Sequence, residues 1–244
     1  MRETAALAAA ILLAAGTALN GENGQNFAKI ERGHYLTIVG DCGGCHDQPG
    51  GAPMAGGRKI ETPFGTVTAS NITPDRETGI GEWSDEEFVR ALAQGIRRDG
   101  AHLFPVMPYP YYTKVSHDDL LAIRAYLATV QPVHNEAIGT ALPFPVDKRL
   151  NMAASNKLNF TPGAFHSNTV KSAEWNRGAY LVEGLMHCGA CHTPKTELGG
   201  DKTSERLQGG VLQGWFAPDI TNASPQGLGK WSPGRWAIAK PPTY

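Results

Sequence analysis

The sequence predicts a mostly α-helical protein built from one small unit written twice, with the second copy incomplete. Three observations carry that expectation. Apolar residues recur at three- and four-residue steps in short capped segments, 29 glycines and 17 prolines cluster between those segments, and a string of short motifs returns in the same order further along the chain. Such punctuation suits short helices joined by long ordered loops better than a continuous sheet. With 244 residues the chain can bury one large core or two small ones. Its 22 basic side chains against 23 acidic ones leave a formal charge of −1 and no Lys/Arg block, so no basic field gathers phosphates and nucleic acid is not an expected partner.

The elements follow in order. Residues 26–41 place Phe27, Ile30, Leu36, Ile38 and Val39 on a loosely helical pattern that runs straight into Cys42. A second helix is expected from Ser84, where Glu87 completes a capping box and Phe88, Leu92 and Ile96 follow at four-residue steps. Ser116 caps a third, with Asp119 at its third position, Leu120, Ile123 and Leu127 on one face, and Pro132 as its stop. The repeat then sets the domains. Arg32-Gly33-His34-Tyr35-Leu36 returns as Arg177-Gly178-Ala179-Tyr180-Leu181, Asn71-Ile72-Thr73 as Asp219-Ile220-Thr221, and Gly81-Glu82-Trp83-Ser84 as Gly229-Lys230-Trp231-Ser232. One domain is therefore expected over 26–132 and a second, incomplete one over 172–244. Residues 133–171 repeat nothing and read as a connector.

At the N-terminus, Thr4 to Leu19 form an apolar run centred on Ile11, Leu12 and Leu13, read as a signal peptide over residues 1–20. An ordinary N-terminal helix is the alternative, since Glu3 offsets Arg2. The run is shorter than the ~20 residues a spanning helix needs, so no membrane span of its own is expected.

All four cysteines lie in two C-x-x-C-H motifs, Cys42-Gly43-Gly44-Cys45-His46 and Cys188-Gly189-Ala190-Cys191-His192. In this motif the two thiols add to the vinyl groups of haem and the adjacent imidazole reaches the iron, so two covalently attached haem c groups are expected, with His46 and His192 as proximal iron ligands. Zinc ribbons bring their cysteine pairs within about twenty residues of each other, far closer than Cys45 and Cys188, and a thioredoxin-like dithiol needs a βαβ setting that is absent here. Three helices around a loop-rich middle is also the layout of a class I cytochrome c. Met107, between prolines in Phe104-Pro105-Val106-Met107-Pro108-Tyr109, is the best candidate for sixth ligand to the iron at His46. Its alternative role is plain core, and His102 is the competing ligand. Trp83, Asn71 and Thr73, with Trp231, Asp219 and Thr221, are open to two readings, as donors to haem propionates or as turn and core residues.

Several long runs carry a family resemblance. Thr62-Pro63-Phe64-Gly65, Ser70-Asn71-Ile72-Thr73-Pro74-Asp75, Thr78-Gly79-Ile80-Gly81, Met107-Pro108-Tyr109-Pro110 and Glu174-Trp175-Asn176-Arg177-Gly178-Ala179-Tyr180-Leu181-Val182-Glu183-Gly184 resemble the cytochrome c subunit of bacterial membrane-bound alcohol, gluconate, sorbitol and fructose dehydrogenases. The resemblance implies tandem class I cytochrome c domains that take electrons from a quinoprotein or flavoprotein dehydrogenase subunit and pass them toward the ubiquinone pool or a terminal oxidase. It implies a periplasmic place at the outer face of the cytoplasmic membrane, held there through the complex. The substrate-oxidising step belongs to the partner. That family has three haem motifs and this sequence has two, which reads as a truncation before a third domain. A dihaem peroxidase-like enzyme and a haem-based sensor are the alternatives, separable by peroxide turnover and by carbon monoxide binding.

The repeat places the second haem's methionine beyond Tyr244, and no methionine follows Met186 and no histidine follows His192. A five-coordinate or weakly ligated second haem is therefore expected, with Lys240, Met152 or a partner's side chain as alternatives, and with Val211, Leu212, Trp215 and Phe216 poorly shielded from water.

Overall fold

The structure, a computed structural model, describes residues 24–145, 147–212, 214–222 and 227–232. The expected signal peptide, Lys240 and the segment after Ser232 lie outside the described residues. Helix α1 covers 24–39 and is followed by α2 (Cys42–His46), strands β1 (Lys59–Thr62) and β2 (Gly65–Thr68), α3 (Asp85–Gln94), α4 (Tyr109–Tyr112) and α5 (His117–Leu127). Then come α6 (Arg149–Asn159), α7 (Ala173–Tyr180), a π-helical turn (Leu181–Leu185), α8 (Gly189–His192) and strands β3 (Gly210–Leu212) and β4 (Trp215–Ala217). The strands make two separate two-stranded sheets, β1 with β2 and β3 with β4, the latter antiparallel with Val211 opposite Phe216. Contacts divide the chain into two compact units. The first takes the chain up to Arg58, Thr68–Val89 and Ser116–Ile138, and the second takes Lys59–Val67, Arg90–Val115 and the chain from Gly139 onward.

In the first unit α1 crosses α5 at Gly33. A Cβ placed there would stand 1.9 Å from the Ala122 carbonyl oxygen and 2.9 Å from Tyr126 Cβ, so only glycine lets the two backbones touch. The buried stripe of α1 is Gly33, Leu36 and Thr37, continued by Gly40 just past its end, a face made mostly of small and polar residues. Phe27 and Ile38, expected from the sequence to pack, are each 65% exposed, because the small-residue face and not the most apolar one meets α5. Leu36, Leu120, Ile123 and Leu127 close the core. At its edge the Arg32 Nε donates to Asp119 Oδ1 at 2.6 Å, and the His34 ring lies 4.7 Å from that of Tyr126.

The expected caps form. Ser84 N donates to Glu87 Oε2 at 2.8 Å and Glu87 N to Ser84 Oγ at 3.2 Å, while Ser116 Oγ accepts from Asp119 N. Helix α3 ends sooner than its apolar steps suggest. Gly95, at φ +68, turns the chain, and a Cβ there would strike the Tyr109 ring at 2.6 Å, so Ile96 leaves the helix and pairs with His102.

The second unit buries Tyr109, Tyr112, Val115, Met152 and Leu185. Met152 lies on α6, a helix inside the stretch read from sequence as a connector. Asn151, Ser155, Asn156 and Asn159 left that helix without an apolar period. Phe160 packs edge-on against Tyr109 at 5.2 Å, and Phe165 likewise against Tyr180 at 5.6 Å. Ser172 caps α7 by accepting from Trp175 N. The β3–β4 hairpin presents Val211, Trp215 and Phe216 to solvent, while Leu212 is half-buried. Among the described residues no helix is long and apolar enough to cross a membrane.

Candidate haem-attachment sites

In the first motif Asp41 enters at φ +50, and Cys42 to His46 then make one helical turn, closed by Asp47 N donating to Gly43 O at 2.9 Å. That turn sets both thiols and the imidazole side by side. Asp47 Oδ1 accepts from Met54 N at 2.6 Å, where Met54 stands at φ +59, and Gly56 N donates to His46 O at 2.8 Å. The His46 Nδ1 lies 2.7 Å from the Ser70 carbonyl oxygen. A carbonyl can only accept, so Nδ1 carries the proton and Nε2 carries the lone pair. This is the tautomer that ligates iron through Nε2, with the second bond orienting the ring. Burial pushes the His46 pKa below its ordinary value against the opposing pull of that carbonyl, which favours the neutral, ligating imidazole.

The second motif repeats this geometry bond for bond. His187 enters at φ +40, and Thr193 N closes the turn onto Gly189 O at 3.1 Å. Thr193 Oγ1 accepts from Leu207 N, with Leu207 at φ +62, and Gly209 N donates to His192 O at 2.9 Å. The His192 Nδ1 lies 2.7 Å from the Pro218 carbonyl oxygen. Two chemically different pairs, Asp47 and Met54 in one copy and Thr193 and Leu207 in the other, thus hold the same loop. The repeated Asn/Asp-Ile-Thr motif is a turn in both copies. Asn71 Oδ1 accepts from the nitrogen and hydroxyl of Thr73, and Asp219 Oδ1 from those of Thr221. Asn71 Nδ2 goes on to Thr78 and the Val133 carbonyl, so its amide is engaged in holding protein. The Trp83 carbonyl accepts from Arg124 Nη2.

Among the described residues no disulfide joins the four cysteines. Burial, with the Asp41 carboxylate and Cys45 beside it, pushes the Cys42 thiol up to about 12, and burial with Cys191 raises that of Cys188. Among the described residues no group of three or more His, Cys, Asp or Glu side chains could hold a metal ion directly. Two thiols and one oriented imidazole on a single turn, offered twice, is the donor set of covalently attached haem, and the residues fit that group.

Met107 is half-buried in a turn where its N–H donates to Phe104 O at 3.0 Å and its carbonyl accepts from Tyr109 N at 2.8 Å. By its contacts this turn belongs to the second unit. Sequence reasoning missed three residues beside the second motif: Tyr111 donates through Oη to Asp201, and Lys195 binds the same carboxylate. Burial first, then the Asp201 bond and charge, raises the Tyr111 pKa. Only the aromatic cluster Tyr109-Pro110-Tyr111-Tyr112 hinted at this contact in the sequence.

No protein-family model matches the chain. Among known proteins it is 44% identical over 213 residues to a nicotinate dehydrogenase subunit from Pseudomonas putida, covering 87% of this chain and 18% of that one. It is 39% identical over 233 residues to the fructose dehydrogenase cytochrome subunit of Gluconobacter japonicus, covering 91% of this chain and 48% of the other. The gluconate 2-dehydrogenase cytochrome c subunit of Pantoea cypripedii matches at 40% over 218 residues, 85% of this chain and 49% of that subunit. The chain is a homologue of dehydrogenase cytochrome c subunits. The similarity runs through most of its own length, and the chain spans about half the length of these two cytochrome subunits. This homologue of cytochrome c subunits carries both C-x-x-C-H turns within its described residues, each with its histidine oriented by a backbone carbonyl.

Proposed function

We propose that the chain carries electrons on two covalently attached haem c groups, one held by Cys42, Cys45 and His46 and the other by Cys188, Cys191 and His192. The observation that carries this reading is the pair of 2.7 Å bonds from His46 and His192 to the carbonyls of Ser70 and Pro218, which leave Nε2 of each ring as the ligating atom. When bound, each haem supplies a reversible one-electron iron couple. The protein's part would be to fix each ring tautomer, to seat the thiols on one turn, and to offer the Met107 thioether to the iron held by His46. Its two haem-bearing segments are proposed as tandem class I cytochrome c domains, 26–132 and from 172 onward.

The electrons are proposed to come from a quinoprotein or flavoprotein dehydrogenase subunit and to pass toward the ubiquinone pool or a terminal oxidase. Relatives named as cytochrome subunits of fructose and alcohol dehydrogenases support a dehydrogenase partner, and one named a dihaem cytochrome c-type protein supports the count of two. The place of action is proposed as the periplasmic face of the cytoplasmic membrane, with attachment through the complex. Mass spectrometry of exported protein tests the core of this reading: two haem additions that survive acid solvent are expected, and haem that extracts freely would refute it.

A further inference from the structure

Three consecutive contacts tie the segment after Met107 to the second attachment turn. The Tyr111 ring lies against the backbone of Gly189, where an added Cβ would stand 2.8 Å from Cε1 and 3.2 Å from Oη. Tyr112, buried, meets the His187 ring edge-on at 5.8 Å, at the residue whose positive φ starts the turn. Lys195, bound to Asp201, reaches the Gly189 carbonyl at 3.5 Å and the Tyr111 hydroxyl at 3.4 Å. One turn further on, Lys114 Nζ pairs with Glu183 Oε2 at 3.0 Å, and Arg206 takes the same oxygen at 3.1 Å. Between Met107 and Tyr111 the backbone has little freedom, since Pro108 and Pro110 restrict it and Tyr109 N and Tyr111 N bond back to Met107 O and Pro108 O.

We infer that the Met107 turn and the second attachment turn form one mechanical element, coupled through Tyr111, so that the position of the methionine depends on the state of residues 187–192. The inference rests on the assignment of Met107 and the second motif to haem for its consequence, while the coupling itself concerns protein contacts alone. Tyr111 is a positioning residue: it touches the Gly189 backbone and carries Met107 four residues upstream on a stiff segment. Disturbance at either end is transmitted because the packed ring offers no slack.

Amide hydrogen exchange on the full chain tests this, comparing the wild type with Tyr111→Phe and Tyr111→Leu. Tyr111→Leu loses both the ring and the bond to Asp201, so exchange should quicken about tenfold or more at Ala190, Cys191 and His192 and equally at Met107 and Tyr109. Tyr111→Phe keeps the ring and should show a smaller rise at both places. Faster exchange at 190–192 with none at Met107 and Tyr109 would overturn the coupling. Should Tyr111→Leu fail to fold, Asp201→Asn loosens both Tyr111 and Lys195 at constant volume, and the same two-segment comparison decides. In the haem-loaded wild type, absence of a methionine-to-iron charge-transfer band would remove Met107 as ligand while leaving the exchange result to judge the coupling.

Discussion

At Gly33 and Gly178, the same residue in two copies of one motif, the structure assigns opposite energetics. Alanine at Gly33 would press its Cβ into the Ala122 carbonyl, and overpacking of this kind typically costs about 1–3 kcal/mol. At Gly178, on α7, an added Cβ meets nothing within 4 Å, so alanine there should stabilise the helix by up to about 1 kcal/mol. Chemical denaturation of Gly33→Ala and Gly178→Ala checks both signs. Glu183 gives a pH dependence. Burial pushes its carboxyl up, but the bonds from Lys114 and Arg206 prevail and hold it below the usual 4.5. A carboxyl depressed in the folded state stabilises above its unfolded pKa and loses that contribution as pH falls through the folded value. The wild type should therefore lose stability below about pH 4.5, and Glu183→Gln should flatten that part of the curve, read from urea midpoints between about pH 3 and 6.

Helix α3 illustrates how local rules set an element. Its N-terminus is fixed by the reciprocal Ser84–Glu87 bonds, readable in the sequence, and its C-terminus by Gly95, whose positive φ only the structure shows. Ser84→Ala should cost about 1 kcal/mol, with Ser116→Ala similar, since each removes a side-chain acceptor for a first-turn amide. Thermal melts measure both. Helix α1 is the contrary case. Of its expected apolar residues Leu36 alone is fully buried, beside Gly33, Thr37 and, just past the helix, Gly40. Hydrophobic periodicity misled there because close backbone approach selects small side chains, and Thr37 satisfies its hydroxyl by donating to Gly33 O at 2.8 Å. Helix α6 escaped notice for a related reason, since the residue it buries best among those described, Met152, stands among amides and small residues.

For the molecule as a whole, the expected outcome is a loaded chain in which Met107 governs one haem. Met107→Ala should lower the potential of the haem at His46 and open it to carbon monoxide, within the ~0.8 V range that axial ligation and surroundings span. Redox titration with carbon monoxide difference spectra reads this, and an unchanged potential and charge-transfer band would hand the position to His102.

Both C-x-x-C-H turns were legible in the sequence, because the motif is contiguous and its thiols and imidazole must share a turn. So were the caps at Ser84 and Ser116, each a matter of residues within a few positions of one another, and the repeat that links Asn71-Ile72-Thr73 to Asp219-Ile220-Thr221. Tertiary structure alone decided which nitrogen of His46 and His192 carries the proton, since the carbonyls of Ser70 and Pro218 lie 24 and 26 residues away and any residue type could supply them. It likewise decided that Gly33 is a contact, and that Tyr111, Lys195 and Asp201 converge on Gly189. These depend on where distant backbones meet, and no local pattern of side chains encodes that distance.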